Sequence, residues 1–90
     1  MLNAPIKACE YWVMRVLAPR YAVESWKQRA EPDKVAGLQA RIDSGELCYC
    51  GGELCEPVEM FDNQEDATIR AAKEHKRTGN VHKVVLNAEL

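Results

Sequence analysis

The sequence is short of the features that announce most functions. It has no basic excess: 12 Lys and Arg stand against 14 Asp and Glu, a formal net charge of -2. A domain built to hold nucleic-acid phosphates usually carries the opposite balance, so nucleic acid is disfavoured as the main partner. No apolar run is long enough to span a bilayer, which argues against a membrane protein. The opening Met1-Leu2-Asn3-Ala4-Pro5-Ile6-Lys7 lacks the apolar stretch of a secretory signal, so the expected location is the cytoplasm. There is no Gly-x-Gly-x-x-Gly or P-loop pattern, and Gly51-Gly52 alone is too short to cradle a phosphate. No two His lie four apart as a hydrolytic metal site on one helix requires. Internal repeats and low-complexity tracts are also lacking.

What is present is enough for one folded domain. Apolar residues make up 47% of the 90 and charged residues 29%, a balance that favours a core over disorder. A single domain over 1–90 is expected, with 1–8 as a loosely packed lead-in.

The run Tyr11-Trp12-Val13-Met14-Arg15-Val16-Leu17, closed by Ala18-Pro19, reads as a strand rich in aromatic and β-branched residues. Tyr11, Val13 and Leu17 fall on one face and Trp12, Met14 and Val16 on the other. A strand apolar on both faces is expected to be central or covered twice. From Tyr21 to Ala30, residues Ala22, Val23, Trp26 and Ala30 form one apolar stripe at helical spacing. Pro32 ends that helix and suits the first turn of the next. The second helix carries Val35, Leu38 and Ile42 inward and stops at Ser44-Gly45.

Gly51-Gly52 separates two alternating runs, the pattern of a two-residue hairpin turn whose central positions both need positive φ. Pairing follows by arithmetic: Cys50 faces Glu53, Tyr49 faces Leu54 and Cys48 faces Cys55. Pro57 marks the second arm as an edge strand or a bend, and Val58 to Phe61 continue it. Asp62 is the expected N-cap of the last helix, with Glu65 in capping-box position. That helix, Asn63 to Arg77, is expected to bury Ala67 and Ala71, together with Ile69, Ala72 and His75. Gly79 ends it, and Val81 to Leu86 form a final strand. The expected fold is therefore α+β, in the order β-α(α)-β-β-α-β. Its sheet has three or four mostly antiparallel strands with helices on one face.

Four groups could carry chemistry. Cys48 and Cys50 point to one face of their strand and Cys55 lies opposite Cys48, with Cys9 as a fourth thiol if the first strand lies alongside. Thiolates suit structural zinc, but the spacing lacks the two Cys-x2-4-Cys knuckles usual for it. A Cys48–Cys55 disulfide and plain buried thiols are the other readings. The expectation is no cofactor. His75 and His82 could approach each other, but no motif places a third group to orient a Cys-His nucleophile, so no enzyme is expected. Arg70, Lys73 and Arg77 share a helical face that could hold a phosphate backbone or be a plain solvated face. Glu53, Glu56, Glu59, Asp62, Glu65 and Asp66 make an acidic edge that resists sheet pairing or steers a partner.

The stretch from Phe61 to Leu86 combines a strand ending in Phe, an acidic capped turn, an Ala-rich helix and a valine-rich strand. It resembles small α+β proteins of bacteriophages and mobile elements, anti-CRISPR and other host-takeover proteins among them. That resemblance implies a protein acting on another macromolecule. The leading expectation is a non-enzymatic interaction protein that binds and inhibits a host protein complex in the host cytoplasm. Its expected surface is Tyr49 with Glu53, Glu56, Glu59, Asp62, Glu65 and Asp66, and nothing in the sequence bars a homodimer. The alternatives are a zinc- or redox-responsive module on the Cys-rich hairpin and a nucleic-acid-binding accessory protein using Arg70, Lys73 and Arg77.

Overall fold

Two adjacent glycines set the hairpin turn. Gly51 and Gly52 both adopt positive φ, 59° and 80°, as a type I′ turn requires. They join β2 (Cys48–Cys50) to β3 (Glu53–Phe61) in the expected register, with Cys48↔Cys55, Tyr49↔Leu54 and Cys50↔Glu53. The computed structural model describes residues 10–87. The expected lead-in over 1–8 and the thiol of Cys9 lie outside them.

The described elements run β1 (Tyr11–Pro19), α1 (Arg20–Arg29), α2 (Pro32–Asp43), β2, β3, α3 (Gln64–Thr78) and β4 (His82–Leu86). The class is α+β, with one four-stranded antiparallel sheet in the order β2-β3-β1-β4. The doubly apolar β1 lies inside the sheet, and Val13 and Met14, on opposite faces, are both fully buried. By contact the chain groups into two compact units. Among the described residues, one comprises 10–15 and 57–87, and the other Val16–Glu56.

In the first unit β1 pairs antiparallel with β4 from Tyr11↔Leu86 to Arg15↔His82. The Asn87 N–H extends the ladder to the Glu10 carbonyl (2.8 Å), and Trp12 Nε1 donates to Asn87 Oδ1 (3.0 Å). Val13, Ala67 and Ala71 form the core, with Tyr11, Val58, Phe61 and Val84 packed against them. Ala67 and Ala71 are the small residues that α3 turns to this core. Gly79 ends α3 in the left-handed conformation, φ 79°, its N–H bonded to the His75 carbonyl (2.8 Å).

In the second unit Val23, Leu47 and Leu54 form the core, flanked by Ala18, Leu38, Ile42 and Tyr49. The N–H of Arg20 at the start of α1 donates to the Gly52 carbonyl (2.8 Å), tying that helix to the hairpin tip. Pro32 opens α2 as expected, and Ser44 caps its end.

The N-cap of α3 is Asn63, not Asp62: Asn63 Oδ1 accepts from the Asp66 N–H (2.8 Å) and Asn63 Nδ2 donates to Asp66 Oδ2 (2.9 Å). Asp and Asn cap equally well. An Asp62–Glu65 box would set two carboxylates together, whereas Asn63 and Asp66 pair a donor with an acceptor. Next, β3 is an interior strand in the sheet order rather than an edge. It carries Pro57 unbroken because the pairing with the three-residue β2 ends at Cys55. Finally, α3 buries Glu74 with Ala67 and Ala71, while Ile69, Ala72 and His75 are exposed.

Candidate interaction surface

Opposite charges at α3 are spent largely on each other. Glu74 is only 9% exposed, and two arginines on its own helix bracket it at i−4 and i+3. Arg77 Nη2 reaches Glu74 Oε1 at 2.5 Å and Arg77 Nε reaches Oε2 at 3.2 Å. Arg70 Nε stands 3.4 Å from Glu74 Oε2, and Arg70 Nη1 pairs with Glu59 of β3. The hydrogen bond from Arg77 is the largest influence on Glu74. Burial pushes its carboxyl the other way, but the charges of Arg77 and Arg70 add to the hydrogen bond and hold the pKa down at about 2. Glu74 in turn raises Arg77 above its ordinary value.

This network changes the standing of both charged faces. Of the three residues that could hold a phosphate backbone, Arg70 and Arg77 are committed to internal ion pairs. Lys73 is exposed and lines a shallow cleft with Phe61, Asp66, Ile69 and Arg70. On the acidic edge, Glu59 is taken by Arg70 and the Asp66 carboxylate accepts from the capping Asn63 Nδ2, while Glu53 and Glu56 are half-buried. Asp62 and Glu65 are exposed. Sequence reasoning missed Glu74, although arginines at i−4 and i+3 signalled a carboxylate that could be clamped.

Tyr49 is not a freely projecting tip residue. Its ring packs with the second core, half-buried, and the Arg20 guanidinium sits 4.6 Å from the ring centroid. The Tyr49 hydroxyl is buried with no hydrogen-bond partner among the described residues.

The thiols divide. Cys48 Sγ and Cys50 Sγ are 3.5 Å apart, while Cys55 Sγ turns along its own strand to the Glu53 carbonyl at 3.7 Å. None of the three is joined in a disulfide. Among the described residues, no group of three or more His, Cys, Asp or Glu is placed to hold a metal ion. His75 and His82 do converge: each Nδ1 meets the Asn80 carbonyl oxygen, at 2.8 and 2.9 Å.

The feature that sequence reasoning did not foresee is apolar. In the second unit Ala18, Ala22, Val23, Trp26, Leu38 and Leu54 line an open groove of about 280 Å³. Of the apolar stripe Ala22, Val23, Trp26 and Ala30, only Val23 is fully buried. The same helix carries Tyr21, 79% exposed, and three cations, Arg20, Lys27 and Arg29, against the single anion Glu24. Glu24 is itself paired with Lys27 at 3.4 Å. Among the described residues no helix is long and apolar enough to cross a membrane. Comparison of the chain with protein-family models, with curated proteins and with solved structures finds no match.

Proposed function

We propose that this chain works without catalysis, by docking an apolar segment of another protein into the α1–α2 groove. The observation that carries the reading is the groove itself: six apolar side chains, Trp26 among them, around about 280 Å³ open to solvent. That volume is just below the range of drug-sized ligand sites and suits one or two side chains of a partner. Arg20, Tyr21 and Trp26 belong to the three residue types that most often anchor protein interfaces. The cationic excess on α1 favours a partner segment whose apolar anchor is flanked by Asp or Glu.

The likeness of Phe61 to Leu86 to phage and mobile-element proteins extends the reading. The partner is then a component of a host protein complex, met in the host cytoplasm, and binding inhibits it. The acidic positions Asp62 and Glu65 are available for a secondary contact.

Selection of a displayed peptide library on the immobilised protein tests the reading. Enriched peptides carry a large apolar residue flanked by acids, and they lose binding to Ala22→Glu, which sets a carboxylate in the groove. Enrichment of basic peptides, or peptides indifferent to Ala22→Glu, would refute it.

A further inference from the structure

We propose that Cys48 and Cys50 form a thiol–disulfide exchange site whose substrates are low-molecular-weight disulfides of the glutathione type. The two sulfurs already touch at 3.5 Å. Cys48 is half-buried and Cys50 is 5% exposed, so one thiol can be reached from solution and the other waits beneath it. That is the division of labour between an attacking and a resolving cysteine. Cys55 is the cross-strand neighbour of Cys48, yet its sulfur is engaged with the Glu53 carbonyl on its own strand. The pair that closes is therefore 48–50.

The chemistry balances without any further oxidant. The Cys48 thiolate attacks one sulfur of glutathione disulfide, forming a mixed disulfide and expelling one glutathione thiolate. The Cys50 thiol gives up its proton, and its sulfur attacks Cys48 Sγ, forming the Cys48–Cys50 bond and expelling the second glutathione. Two protein thiols are oxidised, one disulfide is reduced to two thiols, and the protons end on glutathione. Two residues of extended strand span roughly 6.6 Å, near the upper limit of the Cα separation a disulfide tolerates. Closure therefore puckers β2. A three-residue edge strand followed by Gly51-Gly52 accommodates this more readily than an interior strand would. A bond closed under such strain is readily reduced again, so the site is reversible rather than structural.

Peptide mapping of the full chain tests the proposal. The protein is equilibrated in glutathione buffers of rising oxidised fraction, quenched in acid, alkylated and cleaved after glutamate. Cleavage at Glu46 and Glu53 leaves Cys48 and Cys50 together on one peptide and Cys55 on another, with Cys9 on a third. The expected result is a peptide 47–53 that loses both alkylation sites and becomes two hydrogens lighter, and that recovers both sites in reduced buffer. Cys50→Ser then stalls as a glutathione adduct on Cys48, and Cys48→Ser takes up no glutathione in that peptide. Cys48 and Cys50 both remaining alkylatable in oxidised buffer, or either one linked to Cys55 or Cys9, overturns the proposal. The wild-type map decides the matter even if a variant folds poorly.

Discussion

Arg77 grips both carboxylate oxygens of Glu74 three residues before it on α3, at 2.5 and 3.2 Å. The clamp makes a buried acid compatible with the alanine face that packs in the core of the first unit. It also gives the fold a defined response to acid. The Glu74 pKa is lowered from 4.5 to about 2, so its stabilising contribution is complete above pH 4.5 and is lost as the pH falls from there towards 2. Thermal melts of the wild type should therefore lose more stability across that window than melts of Glu74→Gln, which has no proton to gain. Parallel curves for the two proteins would contradict the clamp.

The start of α3 separates two neighbouring residues. Asn63→Ala removes the cap and its link to Asp66, and should cost about 1 kcal/mol in denaturant unfolding. Asp62→Ala should stay within about 0.5 kcal/mol, as exposed positions usually do. The reverse order of costs would return the cap to Asp62.

Two glycines should respond with opposite signs. A Cβ on either meets nothing within 4 Å, so only backbone conformation decides. Gly79→Ala forces a side chain into positive φ and should cost roughly 1–2 kcal/mol. Gly37→Ala, inside α2, should gain roughly 0.5–1 kcal/mol. Urea midpoints of the two variants check this pair against the wild type.

The second core rests on Leu47, 1% exposed and packed with Val23 and Leu54. Leu47→Ala should cost about 2–5 kcal/mol, whereas Leu17→Ala, at a position 41% exposed, should fall well below that. Calorimetric melts of both variants provide the comparison.

Local rules made much of this fold legible. Gly51-Gly52 marks a two-residue hairpin turn, and that loop length sets the register. Pro32 both stops α1 and starts α2, and the apolar faces of β1 place it inside the sheet. What was not legible depends on contacts distant in sequence or on near-degenerate local choices. Asp62 and Asn63 are equal as isolated caps, and only the partner at Asp66 separates them. Glu74 has the composition of a surface residue, and its burial needs Arg70, Arg77 and the packing of α3 together. The groove was hidden for a related reason. Helical spacing shows that Ala22, Val23 and Trp26 share a face, but not whether the neighbouring elements fill the space beside it. The thiol geometry was half legible: alternation brought Cys48 and Cys50 to one face, while the turning of Cys55 towards Glu53 depends on its rotamer.

If partner binding runs through the α1–α2 groove as proposed, a substitution there weakens it and substitutions on the acidic edge do not. The most direct test is the affinity of a selected apolar, acid-flanked peptide for the wild type, for Ala22→Glu and for an Asp62→Asn, Glu65→Gln double variant. Both variants should retain the wild-type circular dichroism, since Ala and Glu are both strong helix formers and the two acidic positions are exposed. Ala22→Glu is expected to weaken binding at least about tenfold, a loss of about 1.4 kcal/mol, while the double variant binds as the wild type does. Undiminished binding by Ala22→Glu, with the loss confined to the double variant, would contradict the groove and return the interface to the acidic edge.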